Sequence, residues 1–331
     1  LEVTAPPPAG ALLRTRGLSV AFGGVPVVED VGFDLPPGRT LALVGESGSG
    51  KSTVALAFAR LHAGAATEGE ARFRRADGSE VDLLSIGGRD LRAVRGREIA
   101  VVFQDATAAL DPLFTVGDQV AETLRHLRGL GRSAARAGAV DLLARVGIPD
   151  PARRAGEYPH QLSGGMRQRA TVALALAGGP RLLVADEPTS ALDVTIAAEV
   201  VDLLLALQAE AGMAMLFVSH DLGLVARLAH RVLVLYAGQV VEDGAAEEVL
   251  AAPRHPYTRA LLDCVPDVHP DAPVAAGGIP GRMPTPGGWP PHCRFADRCP
   301  LAIVACRAGP VPLLEAGEDR HSRCLRWAAV A

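Results

Sequence analysis

The sequence predicts an α/β protein built on a mainly parallel sheet. Three observations carry that prediction. LALVG (41–45), RLLVADEP (181–188) and AMLFVSHD (214–221) are short apolar runs with the length and flanks of buried strands. Stretches with helical spacing separate them, notably Ser52 to Leu61 and 194–211. At 49% hydrophobic and 21% charged, the 331 residues carry enough apolar material for a large core, about two domains' worth.

In chain order, residues 1–13 are rich in Pro and Ala and are expected to form a loose, flexible tail. From Leu18, LSVAF and VVEDVGFDL read as strands that run into a PPG turn. LALVG is the next strand, and the helix from Ser52 to Leu61 follows it. More strand-like pieces fill 70–103 and close on EIAVVFQ. Residues 118–178 are rich in Ala, Leu and Arg with helical spacing, so a mostly helical insert at about 105–178 interrupts the sheet. RLLVADEP and AMLFVSHD flank an amphipathic helix over 194–211, and RVLVLYAGQVVEDG (231–244) reads as a hairpin. Beyond about 252, Pro, Gly and Cys rise and periodicity fades, which predicts a separate C-terminal extension.

A formal net charge of −4 argues against a general nucleic-acid binder. No apolar run approaches the roughly 18–20 residues of a membrane span, and the first residues lack the apolar stretch of a signal peptide. A soluble cytoplasmic protein is the expectation. Of the 33 basic residues all but Lys51 are Arg, and Asn is absent. A lone Lys kept against that bias marks a position that needs a compact ammonium where a planar guanidinium would not fit.

Lys51 lies in GESGSGKS (45–52), which fits G-x-x-x-x-G-K-[ST] between a strand and a helix. Gly45, Gly48 and Gly50 let backbone N–H groups turn inward around phosphate oxygens, with Glu46, Ser47 and Ser49 completing the loop. The helix that begins through Ser52 and Thr53 presents its positive end to the same oxygens. Lys51 reaches the β- and γ-phosphates, and Ser52 ligates Mg²⁺. A glycine-rich turn with a chance Lys is the bland alternative. Asp186 ends the apolar strand in RLLVADEP, where a carboxylate holds Mg²⁺ or its waters, and Glu187 is placed to orient or deprotonate the attacking water. Taken alone, that pair would be an ordinary acidic strand end. The guanine-reading Asn-Lys-x-Asp pattern cannot be spelled without Asn, so ATP is favoured as the nucleotide.

LSGGMRQR (162–169) resembles the signature motif of ABC ATPases, and it falls between the phosphate loop and RLLVADEP in that family's order. The resemblance implies that Ser163, Gly164 and Gly165 start a helix that binds the γ-phosphate held by another subunit. It implies that Gln104 in VVFQD is the Q-loop glutamine, a Mg²⁺ ligand and, like Glu187, a catalytic residue. Asp193 in SALD (190–193) resembles the D-loop aspartate at the nucleotide, and His220 in VSHD the catalytic switch histidine. Phe22 sits where an aromatic stacks on adenine in the family, a core-facing Phe being the alternative. The implied architecture is a P-loop NTPase, RecA-like ABC ATPase core over 14–252, with the helical subdomain at about 105–178.

RHPYTRALL (254–262), CRFADRCPLAIVAC and Cys324 look like the C-terminal extension of dipeptide/oligopeptide permease ATP-binding subunits, here 253–331. In that group Cys293, Cys299, Cys306 and Cys324 are associated with an iron–sulfur cluster, and thiolates hold [4Fe–4S] clusters. Zinc and unligated thiols stand as alternatives; the spacing is unlike the short CxxC pairs of common zinc modules. Cys264 stands apart and is expected as a small core residue. The resemblance implies an ATP-hydrolysing subunit of an importer for dipeptides or oligopeptides, or for another small solute such as a metal chelate, peripheral on the cytoplasmic face of the cell membrane. Implied partners are a second ATPase subunit, identical or related, two membrane permease subunits and, indirectly, a substrate-binding protein, with no nucleic acid. Non-transport members fit less well. Lys51 and Ser163 are 112 positions apart, too few for the long coiled coil of DNA-repair members, and one cassette is present rather than the two usual in ribosome-acting members. Where the family often reads FQDP-x-x-SLNP, this chain reads FQDATAALDP, with Ala106, Ala109 and Asp111 at the differing positions, a change that touches coupling to the membrane subunits more than hydrolysis.

Overall fold

A computed structural model describes residues 10–265 and 278–330. Of the tail expected over 1–13, residues 1–9 lie outside the described residues; Leu12 and Leu13 are buried. The described strands are, in chain order, β1 (Leu13–Phe22), β2 (Val25–Leu35), β3 (Thr40–Val44), β4 (Ala65–Arg74), β5 (Glu80–Asp82), β6 (Ile99–Val102), β7 (Leu182–Asp186), β8 (Ala214–Val218), β9 (Arg231–Tyr236), β10 (Gln239–Ala245), β11 (Leu314–Gly317) and β12 (Arg320–Ser322). The α-helices are α1 (Lys51–Ala57), α2 (Gly88–Val94), α3 (Ala106–Ala109), α4 (Val116–Arg128), α5 (Arg132–Arg145), α6 (Pro151–Arg154), α7 (Gly164–Leu176), α8 (Val194–Ala211), α9 (Leu222–Leu228), α10 (Ala246–Ala251) and α11 (Pro256–Asp263). None of the described helices is long and apolar enough to cross a membrane. The chain divides into two compact units.

The first unit comprises Leu1–Leu13 (described from Gly10), Asp34–Arg39 and Arg72–Phe217. Its strands β8, β7 and β6 are neighbours in that order. Every residue of β7 and β8 is buried, which explains why both read as unbroken apolar runs. β6 and β7 pair in parallel, Val102 opposite Ala185. The stretch expected to be helical is broken into α4, α5, α6 and α7. The Thr115 side chain caps α4 by accepting from the Asp118 N–H, and Gly129 closes it at φ 70°. Helix α8 has the expected bounds because Asp193 caps its start and Gly212, at φ 62°, its end.

The second unit comprises Arg14–Phe33, Thr40–Ala71 and Val218–Ala331. Here β11, β12, β10, β9 and β3 are neighbours in that order. β3 pairs in parallel with β9, Val44 opposite Val234, and β9 with β10 forms the expected hairpin. The C-terminal segment continues the sheet, since β12 pairs antiparallel with β10, Glu242 opposite Ser322. It also completes the core. Tyr236 of β9, Tyr257 of α11 and Phe295 meet at ring centroid distances of 4.6–5.4 Å. Fully buried Glu242 binds this segment to the sheet: it accepts from Arg320 Nη2 (2.7 Å) and from the N–H groups of Arg254 (2.6 Å) and His255 (3.0 Å). Helix α1 ends at Ala57, short of the expected Leu61, because Arg60 turns into the left-handed region (φ 47°) and its N–H bonds Ala57 O.

His255 is buried, and its Nδ1 accepts the Tyr257 N–H at 3.1 Å, capping α11. Burial, reinforced by the Arg323 charge, pushes its pKa down from the ordinary 6.5 to about 3. The folded state therefore holds a neutral imidazole. Its contribution to stability is complete above pH 6.5 and is lost as pH falls from there towards 3. Lowering the pH from about 7.5 to 5 is expected to reduce the melting temperature more in the wild type than in His255→Asn, which keeps an acceptor and does not titrate. Equal losses in thermal melts of the two proteins would contradict this.

Candidate functional site

The phosphate loop leaves the end of β3 and enters α1. Gly45, Gly48 and Gly50 have φ of 147°, 80° and 103°, backbone that side chains rarely adopt. Gly45 has a second constraint, because a Cβ there would lie 2.2 Å from Leu235 O. Lys51 is 4% exposed, and its Nζ donates to Gly45 O (2.9 Å) and Glu46 O (3.0 Å). Two carbonyls from adjacent residues thus converge on one small ammonium, a geometry that a guanidinium fork does not match. The hydroxyl of Ser49 is buried and has no hydrogen-bond partner among the described residues. Ser47 and Gly48 are exposed, while Ser52 and Thr53 are half-buried at the start of α1.

The loop is also gripped from outside. The Glu46 N–H donates to Tyr257 Oη (2.7 Å), and the Glu46 carboxylate accepts from both Nη atoms of Arg298 (2.9 and 3.1 Å). Sequence reading missed Tyr257 and Arg298. No local pattern links them to a loop 211 and 252 positions away.

In the first unit, the register of β6 and β7 decides what stands beside Glu187. Val102 is opposite Ala185, so Gln104 and Glu187, each two residues on, emerge side by side. Gln104 Nε2 donates to Glu187 Oε2 at 3.3 Å. Asp186 is buried at the last position of β7. Glu187 has φ 46°, a costly conformation for a residue with a side chain and one common at functional positions. Its carbonyl accepts from the Ser190 N–H (3.2 Å) and hydroxyl (3.1 Å), which holds the turn.

Ser163 caps α7, its Oγ accepting from the Met166 N–H at 3.3 Å. Ser163 and Gly164 are exposed, and a Cβ on Gly164 would meet nothing within 4 Å. Gly165 faces the other way; a Cβ there would lie 2.8 Å from Ile196 Cγ2 of α8. Asp193 is exposed and caps α8 through the Ile196 N–H (2.9 Å). In the second unit, His220 is exposed in the loop after β8, and the preceding Ser219 N–H donates to Leu43 O of β3 (3.2 Å). Phe22 is half-buried at the end of β1, edge-on to His62 with centroids 5.5 Å apart.

Cys293, Cys299, Cys306 and Cys324 all line one pocket, with Phe295, Leu301 and Val311. All four are free thiols. Burial pushes the Cys293, Cys299 and Cys324 thiols up, Cys324 to about 11, so they favour the protonated form. Among the described residues no group of three or more His, Cys, Asp or Glu side chains is arranged to hold a metal ion. The expected iron–sulfur or zinc site is therefore not supported: the thiols share an apolar pocket without forming a ligand set. Cys264, expected in the core, is half-buried at the C-terminal end of α11.

Comparison with known proteins gives a consistent result. A family model described as ABC transporter matches residues 28–190, and one described as the oligopeptide/dipeptide transporter C-terminal region matches 241–306. A Brucella ovis relative described as a peptide import ATP-binding protein is 48% identical over 97% of this chain and 98% of its own. A Brucella abortus relative with the same description is 47% identical over 95% of this chain and 94% of its own. The dimeric ATP-binding cassette MJ0796, in a post-hydrolysis state with ADP and Pi, has a TM-score of 0.62 at 27% identity, covering 71% of this chain and 98% of that one. CbiO1 from Clostridium perfringens, part of the cbiONQ transporter complex, has a TM-score of 0.62 at 27% identity over 73% of this chain and 91% of its own.

Proposed function

Because the chain belongs to the ABC transporter ATP-binding family, as its match to relatives of near-identical length shows, we propose that it hydrolyses ATP to power import of dipeptides or oligopeptides. The observation that carries the substrate class is the oligopeptide-type C-terminal region, joined to the cassette in one chain that aligns over 97% of its length with a peptide import relative.

Each residue has a role in this reading. The loop 45–53 wraps the phosphates with backbone N–H groups, and Lys51 neutralises charge on the β- and γ-phosphates. On the family resemblance, Ser52, Gln104 and Asp186 are the side chains that would hold Mg²⁺, an ion that takes few protein oxygens and completes its shell with phosphate and water; it would neutralise charge on the phosphates. Glu187, oriented by Gln104, accepts a proton from the attacking water, and His220 attends the γ-phosphate. Phe22 stacks on adenine. Ser163, Gly164, Gly165 and Asp193 serve the nucleotide held by a second ATPase subunit, identical or related. The exposure of Ser163, Gly164 and Asp193, with an open face at Gly164, suits them to a partner. The chain lies at the cytoplasmic face of the membrane against two membrane permease subunits, which complete the assembly, and a substrate-binding protein delivers the peptide.

The experiment is uptake of a labelled dipeptide or oligopeptide by cells lacking the gene. Uptake is expected to be lost on deletion, restored by the wild-type chain and not restored by Glu187→Gln. Unchanged peptide uptake on deletion would contradict the substrate class. An iron–sulfur cluster at the four cysteines rests on the family resemblance alone, and no step here runs through it. Iron and sulfide analysis after anaerobic purification decides it: stoichiometric iron and sulfide would establish the cluster, and their absence would remove it.

A further inference from the structure

We infer that Arg298 and Tyr257, both from the C-terminal segment, are positioning residues for the phosphate loop, so that nucleotide affinity is set in part outside the cassette. This rests on the proposed ATPase reading and goes beyond it in making Glu46 a point of control.

Glu46 is the single carboxylate in GESGSGKS. A carboxylate in a loop shaped for a triphosphate opposes its ligand by like-charge repulsion, unless it is neutralised and turned aside. Arg298 does both. Its side chain is 4% exposed, and its two Nη atoms hold the two Glu46 oxygens at 2.9 and 3.1 Å. The guanidinium is itself immobilised: Nε donates to Pro280 O (2.8 Å), Nη2 to Ile279 O (3.0 Å) and Nη1 to Tyr236 Oη (3.3 Å). It lies 5.7 Å from the Tyr236 ring centroid and 5.9 Å from that of Phe295. Tyr257, fully buried, takes the Glu46 N–H at 2.7 Å. Glu46 is thus held at backbone and side chain by a rigid aromatic core that the C-terminal segment completes. Met283 of the same segment lies against the loop; its Cε is 3.5 Å from where a Cβ on Gly48 would be.

The test measures the dissociation constant of a fluorescent ATP analogue, with magnesium, on the full chain. Arg298→Gln frees the carboxylate and leaves it charged, so affinity is expected to fall about tenfold. Glu46→Gln removes the repulsion with the anchor and is expected to cost no more than about threefold. The double variant is expected to bind like Glu46→Gln, so that the second change rescues the first. A merely structural Arg298 gives no such rescue. If Arg298→Gln does not fold, Arg298→Lys, which keeps the charge without the fork, takes its place against the same Glu46→Gln partner. The inference is overturned if the Arg298 variant binds within about threefold of wild type, or if the double variant binds no more tightly than it does. Failure of the wild-type chain to bind ATP would instead remove the ATPase reading, and this inference with it.

Discussion

Replacing Glu187 with glutamine is expected to lower ATP turnover by at least about a hundredfold, the range that loss of a positioned proton acceptor commands. ATP binding should stay within about threefold of wild type, because no phosphate-holding group is removed. The substitution is nearly isosteric, and the groups that position Glu187 remain. These are the Gln104 side chain at 3.3 Å, the φ of 46° and the turn closed by Ser190 on the residue's own carbonyl. A large fall in turnover with binding intact is the signature of an interaction made in the transition state. Steady-state ATPase assays beside a binding titration check it, and turnover within about tenfold of wild type would take the proton-accepting role away from Glu187.

The second large effect is at Lys51. On the proposed role of Lys51, in which its ammonium neutralises phosphate charge in both ground and transition states, Lys51→Ala is expected to weaken nucleotide binding by at least about tenfold and to reduce turnover further. Lys51→Arg is the sharper variant. It keeps the charge, yet the site offers two convergent carbonyls at 2.9 and 3.0 Å in a pocket that leaves Lys51 4% exposed. A guanidinium cannot occupy that space without moving the loop, so the Arg variant is expected to resemble the Ala variant in both assays. An Arg variant with wild-type affinity would show that charge alone suffices. It would also remove the steric reason for the one Lys in a chain that otherwise uses Arg.

The elements that present Lys51 and Glu187 are legible in the amino-acid sequence. β7 and β8 are buried along their whole length, so their apolar runs are unbroken, and α8 is delimited by Asp193 and Gly212. Other features leave weaker traces. Helical spacing carries α1 on to Leu61 because no Gly or Pro marks the break, which is made by a left-handed Arg60. α2 is hidden among strand-like pieces because seven residues give too short a period to read. β11 and β12 fall in a segment rich in Pro and Gly, and β12 joins the sheet through pairing with β10, a contact with no local signal. The bond from Gln104 to Glu187 needs the register of two parallel strands, and the grip of Arg298 on Glu46 spans 252 positions. The four cysteines of the C-terminal segment suggest a cluster by family resemblance. Folding brings them to one pocket, but burial favours neutral thiols there, and their geometry supplies no ligand set.

In the proposed function, GESGSGKS holds the triphosphate of ATP and Ser163–Gly165 of a second subunit complete its surroundings. The most direct test is an experimental structure of the Glu187→Gln chain with ATP and magnesium. The expected result is a dimer with phosphate oxygens within hydrogen-bonding distance of Lys51 Nζ and of the loop N–H groups, and the partner's signature residues against the γ-phosphate. A loop that stays empty at saturating ATP, or nucleotide bound elsewhere on the chain, would contradict it.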